Sequence, residues 1–340
     1  MVIFFLIIIL FVFYLLFVVL VNKSSKPSTK ITILNEPKNI VGFLEKEISI
    51  TIWNIGYAGL GKNSDFITDG GKRFFPPSYS EVKKNLAGIK KLLKNLSSDI
   101  YMLQEVSEKS PLSFLIPVRA QIIYLFPKFL AVFRGDIASK YLPWPLKVNH
   151  GTLTIAKARS LSNRVVNLPF EPNLMLGVLK RNYGLLVTHF AIKNSDKQWV
   201  IVNLHLSAFD ENGATRQKQF DAVFAFAQEE YQKGNYVILG GDWNMELTKS
   251  DFAHKTDKKH LFWRIEFPAN HLPKGWKIGV DKKTPTVRTN YKPYIKGENH
   301  TSIIDGFIIS PNVKINSVNT LDLNFEHTDH QPVNGIFSTK

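Results

Sequence analysis

Near its C-terminus the chain reads Phe325-Glu326-His327-Thr328-Asp329-His330-Gln331-Pro332-Val333, with Ser302-Ile303-Ile304-Asp305 just upstream. A carboxylate can hold an imidazole in one tautomer so that its other nitrogen handles a proton, while a second carboxylate takes a metal. A single Asp-His dipeptide carries little weight, because surface or hydrogen-bonded histidines are common at strand ends. Four more segments give it weight, each a strand-like apolar run ending in polar groups: Trp53-Asn54, Gln104-Glu105, His205 and Asp242-Trp243-Asn244. Glu105 offers a hard oxygen ligand suited to Mg²⁺, an ion that keeps several of its waters. Asp242 and Asn244 lie two apart, so in extended chain their side chains face the same way. Arg288, within Thr286-Val287-Arg288, is a candidate phosphate clamp, because a guanidinium donates two parallel hydrogen bonds.

These groups need elements to bring them together. Ile48 to Trp53 alternates with period two and reads as a strand delivering Asn54. Gly56, Gly59 and Gly61 and then Asp69-Gly70-Gly71-Lys72 mark a loop; their spacing excludes a Walker-type phosphate cradle. Tyr79 to Leu96 has helical spacing, with lysines on its wet face. Ile100 to Leu103 is a buried-strand run ending at Gln104-Glu105. His150–Ala156 and Leu185–Phe190 read as paired strands, and Trp199–Leu204 leads to His205. A helix from about Thr215 to Tyr231 links that strand to Tyr236–Asp242. Gly240-Gly241 suits either a turn or a close approach of substrate. Lys255–Tyr294 reads as a long basic and aromatic loop, and Ile303–Ser310 and Val333–Phe337 as the last strands. Strands and helices mix without strict βαβ alternation, so the fold class is α/β with sheets packed face to face and helices outside.

Residues 1–21 contain no charged side chain and no Gly, Pro or Asn. Such a run spans roughly 30 Å, the thickness of a bilayer core. A cleaved signal would need a basic start, a shorter apolar run and a small-residue cleavage site. The expected organisation is a single-pass transmembrane anchor over 1–21, a polar tether over 22–39 and one catalytic domain over 40–340. Lys23, Lys26 and Lys30 follow the anchor and pull toward a cytoplasmic domain. Long domains translocate despite flanking charge, and a cysteine-free chain sits comfortably in an oxidising exterior, so the extracytoplasmic side is slightly favoured. A net charge of +15 and a pI near 9.7 favour polyanions: nucleic acid, anionic headgroups or phosphorylated small molecules.

Taken in order, Asn54, Gln104-Glu105, His205, Asp242-x-Asn244, Asp305 and Asp329-His330 resemble the endonuclease/exonuclease/phosphatase superfamily from about Glu47 to Ile336. That group includes deoxyribonuclease-like enzymes, inositol polyphosphate phosphatases and bacterial neutral sphingomyelinases. The resemblance implies a four-layer sandwich of two mixed β-sheets flanked by helices, here a membrane-anchored member of bacterial type. It implies a metal site of Glu105, Asn54 and Asp329, taking Mg²⁺, or Mn²⁺ or Ca²⁺ in its place. It makes Asp242 a candidate to orient or deprotonate water, and Asn244 a donor to a phosphoryl oxygen. His205 resembles the second histidine of the deoxyribonuclease and sphingomyelinase branches, where it contacts phosphate or assists the leaving group. His330 with Asp305 is the first choice of general base, and Asp242 as base with His330 stabilising the phosphorane is the rival. Two departures stand out: Thr328 replaces the usual Ser, and Gly306 follows Asp305 where an aromatic residue or histidine is common, which would loosen one pocket wall. His150, His189, His254, His260, His300 and His327 match no required position and read as structural.

The expected function is a membrane-tethered, monomeric, divalent-metal-dependent phosphoesterase hydrolysing a phosphodiester or phosphomonoester by water attack. A lipid headgroup or small phosphoester is favoured as substrate, because the anchor makes long DNA a less natural partner, and the basic stretch with Trp263, Trp276, Tyr291 and Tyr294 suits an interface. One alternative is a sequence-nonspecific nuclease, whose phosphate contacts would weaken with salt. Another is a catalytically silent phosphate-binding membrane scaffold.

Overall fold

The computed structural model of the chain describes residues 1–24, 28–138, 147–169, 180–208, 210 and 213–340. Helix α1 (Val2–Ser24) is followed by strands β1 (Ile31–Asn35) and β2 (Glu47–Asn54). Helix α2 (Tyr79–Asn95) leads to β3 (Ile100–Ser107), and the short α3 (Val118–Ile123) precedes β4 (Leu130–Ala138) and β5 (Asn149–Ala156). Then come β6 (Ser162–Asn167), β7 (Lys180–Arg181), β8 (Gly184–Ala191) and β9 (Gln198–His205). Helix α4 (Ala214–Gln232) returns the chain to β10 (Tyr236–Asp242). The remainder carries β11 (Lys277–Gly279), β12 (Val287–Arg288), β13 (Thr301–Ser302), β14 (Asp305–Ile309), β15 (Val313–Thr320) and β16 (Val333–Thr339).

One sheet runs β1-β4-β5-β3-β2-β16-β15 with β7 added on β4, and the other runs β11-β14-β10-β9-β8-β6. The pairs β2–β3 and β9–β10 are parallel, so each needs a crossover, supplied by α2 and α4. Period-two alternation sorts their side chains into layers. Ile50, Ile52, Met102, Ile201 and Ile238 meet between the sheets with Phe307 and Phe337. Tyr101 and Leu103 point outward under Val82, Leu86, Ile89 and Leu93 of α2. Val200, Val202, Val237 and Leu239 point outward under Phe220, Val223 and Phe224 of α4. The result is two packed mixed sheets with helices outside. Helix α1 is long and apolar enough over Val2–Val21 to cross a membrane, a property that signal sequences share.

Several expectations change. His150–Ala156 and Leu185–Phe190 do not pair with each other: β5 pairs with β3 and β4, while β8 pairs with β6 and β9 in the other sheet. The tether expected over 22–39, of which 25–27 lie outside the described residues, contains β1, whose Ile31 packs on the inter-sheet core. Trp276 is buried against Phe224 and Tyr231, and Tyr294 against Phe325, so neither is offered to an interface. Gly306 loosens no wall: a Cβ there would meet Leu247 at 2.6 Å and Val280 at 2.7 Å, which already fill the space.

The two glycines of β10 serve the sandwich. A Cβ at Gly240 would strike Met102 at 2.6 Å across the inter-sheet space. At Gly241, with φ +141°, it would collide with the Leu204 carbonyl of the neighbouring strand. Gly241→Ala should therefore cost about 2–4 kcal/mol of stability, read as a fall in the urea midpoint. A midpoint unchanged from the parent would show that the strand relaxes freely here.

The long segment after β10 is pinned by Glu246, which accepts from Arg264 at 2.8 and 2.9 Å and from Ser302 Oγ at 2.8 Å. Burial raises its carboxyl pKa, but His300, Arg264 and Ser302 more than offset this and hold it at about 2. A depressed carboxylate stabilises the fold above its unfolded value of about 4.3, and that stability is lost as pH falls toward the folded value. The gap in urea midpoint between the parent and Glu246→Gln should accordingly narrow from pH 5 to pH 2.5. A gap constant over that range would contradict the assignment.

Candidate active site

The two parallel pairs end at the same point. Register places Asn54 beside Gln104 on β2–β3 and His205 beside Asp242 on β9–β10. The sheets meet there: Asn54 Nδ2 donates to Asp242 Oδ2 at 3.0 Å. Asp242 Oδ1 accepts from the Asn244 backbone N–H at 2.9 Å, so both oxygens of this buried carboxylate are oriented. Antiparallel pairing of β10 with β14 sets Asp305 opposite Asp242.

His330 arrives on the segment before β16, held by Trp53 Nε1 donating to its carbonyl at 3.1 Å. Its Nδ1 lies 2.9 Å from Asp305 Oδ2 and its Nε2 lies 3.7 Å from Asp242 Oδ2. Burial disfavours the imidazolium, but Asp305 and Asp242 outweigh it and hold the pKa well above 6.5. His205 behaves oppositely. Burial lowers it to about 3, against the pull of Asp242. Arg181 Nη2 lies 3.1 Å from His205 Nε2; a guanidinium only donates, so that nitrogen accepts and the proton sits on Nδ1.

Glu105 is re-aimed by an irregularity in β3. The β3–β5 register shifts between Leu103 and Val106, and Glu105 takes φ +53°. Its Oε2 is buried with no hydrogen-bond partner among the described residues. Burial first, and the charge of Asp329 second, raise its pKa to about 8. Asp329 is held by Asn290 Nδ2 at 3.2 Å and Thr328 Oγ1 at 3.2 Å. A cation between Glu105 and Asp329 would relieve both the orphaned oxygen and the like-charge repulsion. The ligand atoms of Asp242, Asp305 and His330 also lie within 4.8 Å of one another and could hold an ion. A cation there would have to displace the Asp305–His330 hydrogen bond, whereas Glu105 Oε2 has nothing to give up. The residues present thus fit a divalent ion, and Glu105 is the better-suited side.

All of Asn54, Glu105, His205, Asp242, Asn244, Arg288, Asp329 and His330 line one cavity of about 220 Å³. Asp305 stands behind His330. Asn244, with φ +49°, donates Nδ2 to Leu206 O at 2.9 Å and is pinned through its carbonyl by Arg216 Nη1 at 2.7 Å. Arg288 departs from the expected clamp: its two η nitrogens donate to Gly61 O at 2.8 Å, Asn290 Oδ1 at 2.9 Å and Ser64 Oγ at 3.1 Å. It braces the loop behind Asp329 instead of presenting a fork to the cavity.

Other lining residues carry no signature in the sequence. Arg181 sits on β7, too short for any periodicity, over the Tyr183 ring at 4.7 Å. Asp69, raised to about 7 by burial and then by Asp329, belongs to a segment legible only as a loop. Tyr57, with φ +43°, is buried beside His150, ring centroids 5.0 Å apart. Of the histidines expected to be structural, His150 instead lines the cavity, its Nε2 2.9 Å from Ser110 Oγ; His189 meets Glu230 at 3.3 Å, His254 packs edge-on to His300, and the His327 ring fills the space over Gly88 of α2.

The fold and site define the class: two packed mixed sheets whose parallel strand pairs end at one acid–amide–histidine cavity. The chain belongs to the endonuclease/exonuclease/phosphatase family, whose model matches residues 53–330. Members are generally hydrolases of phosphoester bonds and typically use divalent metal ions. Truncated Caenorhabditis elegans TDP2 is 16% identical, with TM-score 0.52 over 88% of this chain and 100% of that one. A Leptotrichia buccalis member of the family gives 0.55 at 12% identity, over 85% and 98%. The D. rerio TDP2 complexed with single strand DNA product gives 0.51 at 16%, over 86% and 99%. These likenesses show a shared fold. None of the curated proteins compared with the chain is significantly similar in sequence.

Proposed function

We propose that the chain is a membrane-anchored, divalent-metal-dependent phosphoesterase of this family, cleaving a phosphodiester or phosphomonoester of a lipid headgroup or small molecule. The observation carrying this is the convergence of Glu105, Asp242, His330 and Asp329, distant in sequence, on one cavity. A bound divalent ion, held by Glu105 and Asp329 with Asn54 in its outer shell, would neutralise charge building on phosphate. The chain's own groups divide the rest. Asp242, oriented through both oxygens, accepts the proton of the attacking water in place of His330, the first choice from sequence, whose imidazole is held in its charged form. His330, kept charged by Asp305, donates to the phosphorane oxygens. The second Asn244 amide proton remains for a phosphoryl oxygen, and His205 orients Arg181 beside the same centre.

A nuclease is the second reading, favoured by the DNA product held by the D. rerio neighbour and by the +15 charge. The test compares a panel of headgroup phospholipids, a generic soluble phosphodiester and single-stranded DNA at matched salt, with Mg²⁺ or chelator. Chelator-sensitive turnover of a headgroup or of the soluble ester ahead of DNA supports the first reading. Preference for DNA supports the second. No turnover of any substrate, with phosphate still bound, returns the chain to a scaffold.

A further inference from the structure

The cavity opens between three loops that touch one another. Phe66 N donates to Asn290 O at 2.7 Å, and the His260 ring stacks on Tyr291 with centroids 4.0 Å apart. A Cβ at Gly70 would meet His260 Nδ1 at 2.7 Å. Phe66, Asp69, Trp263 and Asn290 of these loops line the cavity. The same loops turn large apolar side chains to solvent: Phe74 is 57% exposed, Phe75 52%, Phe262 48% and Ile295 51%. Exposed cations stand among them at Lys72, Arg73, Lys258, Lys259 and Lys296. Scattered exposed apolar residues are ordinary; several on the loops around one opening, interspersed with lysine and arginine, fit an anionic lipid surface.

The course of the chain gives a second, independent observation. β4 starts at Leu130, paired with Ala156, and ends at Ala138, paired with Asn149. Asp136 and Ile137 near its far end line the cavity. β1 runs antiparallel to β4 with Ile31 opposite Arg134 and Asn35 opposite Ala131. The chain therefore comes into the sheet from the cavity end and runs away from it. Residues 25–30 separate α1 from β1 and span at most about 20 Å.

We propose that the loops bearing Phe74, Phe75, Phe262 and Ile295 form a rim that docks on the bilayer holding α1, so that the cavity faces the lipid surface. This rests on reading α1 as a membrane anchor, and it makes membrane-borne phosphoesters the substrate class. The competing face is the opposite end, where Val41 and Leu161 are 53% and 55% exposed near the start of β2 and β6.

The chain has no cysteine, so single cysteines can carry an environment-sensitive nitrobenzoxadiazole label without background. Full-length Phe75→Cys, Phe262→Cys, Leu161→Cys and, as a control, Tyr124→Cys (86% exposed) would be reconstituted into phosphatidylcholine vesicles with and without phosphatidylglycerol. The expected result is a blue-shifted emission, quenched by brominated lipid, at 75 and 262 only, stronger with the anionic lipid. A shift at 161 without one at 75 and 262 overturns the proposal, placing the other end on the membrane. Unshifted labels in a chain that floats with vesicles also overturn it, and leave the rim to a protein partner. A chain that fails to float sinks the anchor itself and the proposal with it. Shifted labels in a chain that hydrolyses nothing would instead sink the hydrolase reading and leave the rim standing.

Discussion

Asp242→Asn should lower kcat on a phosphodiester by about 10³-fold while KM changes little. The substitution keeps the shape and one acceptor oxygen, so the contact from the Asn244 N–H at 2.9 Å survives. The other position becomes an amide facing Asn54 Nδ2, now 3.0 Å from Oδ2, so one hydrogen bond is lost at a cost of about 1–2 kcal/mol of stability. That cost is measured separately by urea unfolding, so a folding defect cannot pass for a chemical one. What the variant loses is the negative charge beside Nε2 of both His205 and His330, at 3.6 and 3.7 Å. A water held there would keep its position and lose its base. If Asp242 were only the turn former that an Asp-x-Asn after a strand often is, kcat would stay within about threefold of the parent.

The parts of this site legible in the sequence are those whose backbone is regular. Asn54, Glu105, His205 and Asp242 each follow an apolar run of strand length, and register in a parallel pair then aligns their ends without further information. Asp305 and His330 were legible as a pair because acid and imidazole are chemically matched, and β14 beside β10 brings them to Asp242. Strand partners were not legible from pattern alone: β5 and β8 are both buried along nearly their whole length, on both faces, and nothing in such runs says which of two sheets each joins. Arg181 and Asp69 were invisible because they act from a two-residue strand and a loop, where no periodicity operates. Arg288 carries a different lesson. Its residue type suits a phosphate, yet the loop around Leu60 to Ser64 has carbonyls to satisfy, and they take its η nitrogens first. Gly240 and Gly241 were ambiguous in sequence because permissive backbone serves turns, ligands and tight packing equally. Only the position of Met102 and the Leu204 carbonyl separates the three.

Glu105→Gln should abolish most metal-dependent turnover and, at the same time, raise the melting temperature of the metal-free chain. Both effects come from one feature. Glu105 Oε2 is buried without a partner, near Asp329, in a place that disfavours a negative charge unless a cation shares it. Its pKa of about 8 lies above the unfolded value of about 4.3, so folding takes up a proton and stability falls as pH rises through that interval. The amide removes this penalty, worth about 2 kcal/mol after allowance for a side chain 23% exposed. Metal binding has the opposite requirement, since the ion must displace the proton that the free carboxyl prefers to keep. Apparent Mg²⁺ affinity in the parent should thus climb as much as tenfold per pH unit up to about pH 8 and then level, while Glu105→Gln binds weakly at every pH. Calorimetric titration across pH 6 to 9 reads the slope, and a melting curve in chelator reads the stability. Should the variant bind Mg²⁺ as the parent does, the ion would have to sit at Asp242, Asp305 and His330 instead. Asp305→Asn would then become the variant that loses it. A raised melting temperature together with lost affinity leaves only the Glu105 side, because a purely structural carboxylate would lower both stability and activity on removal.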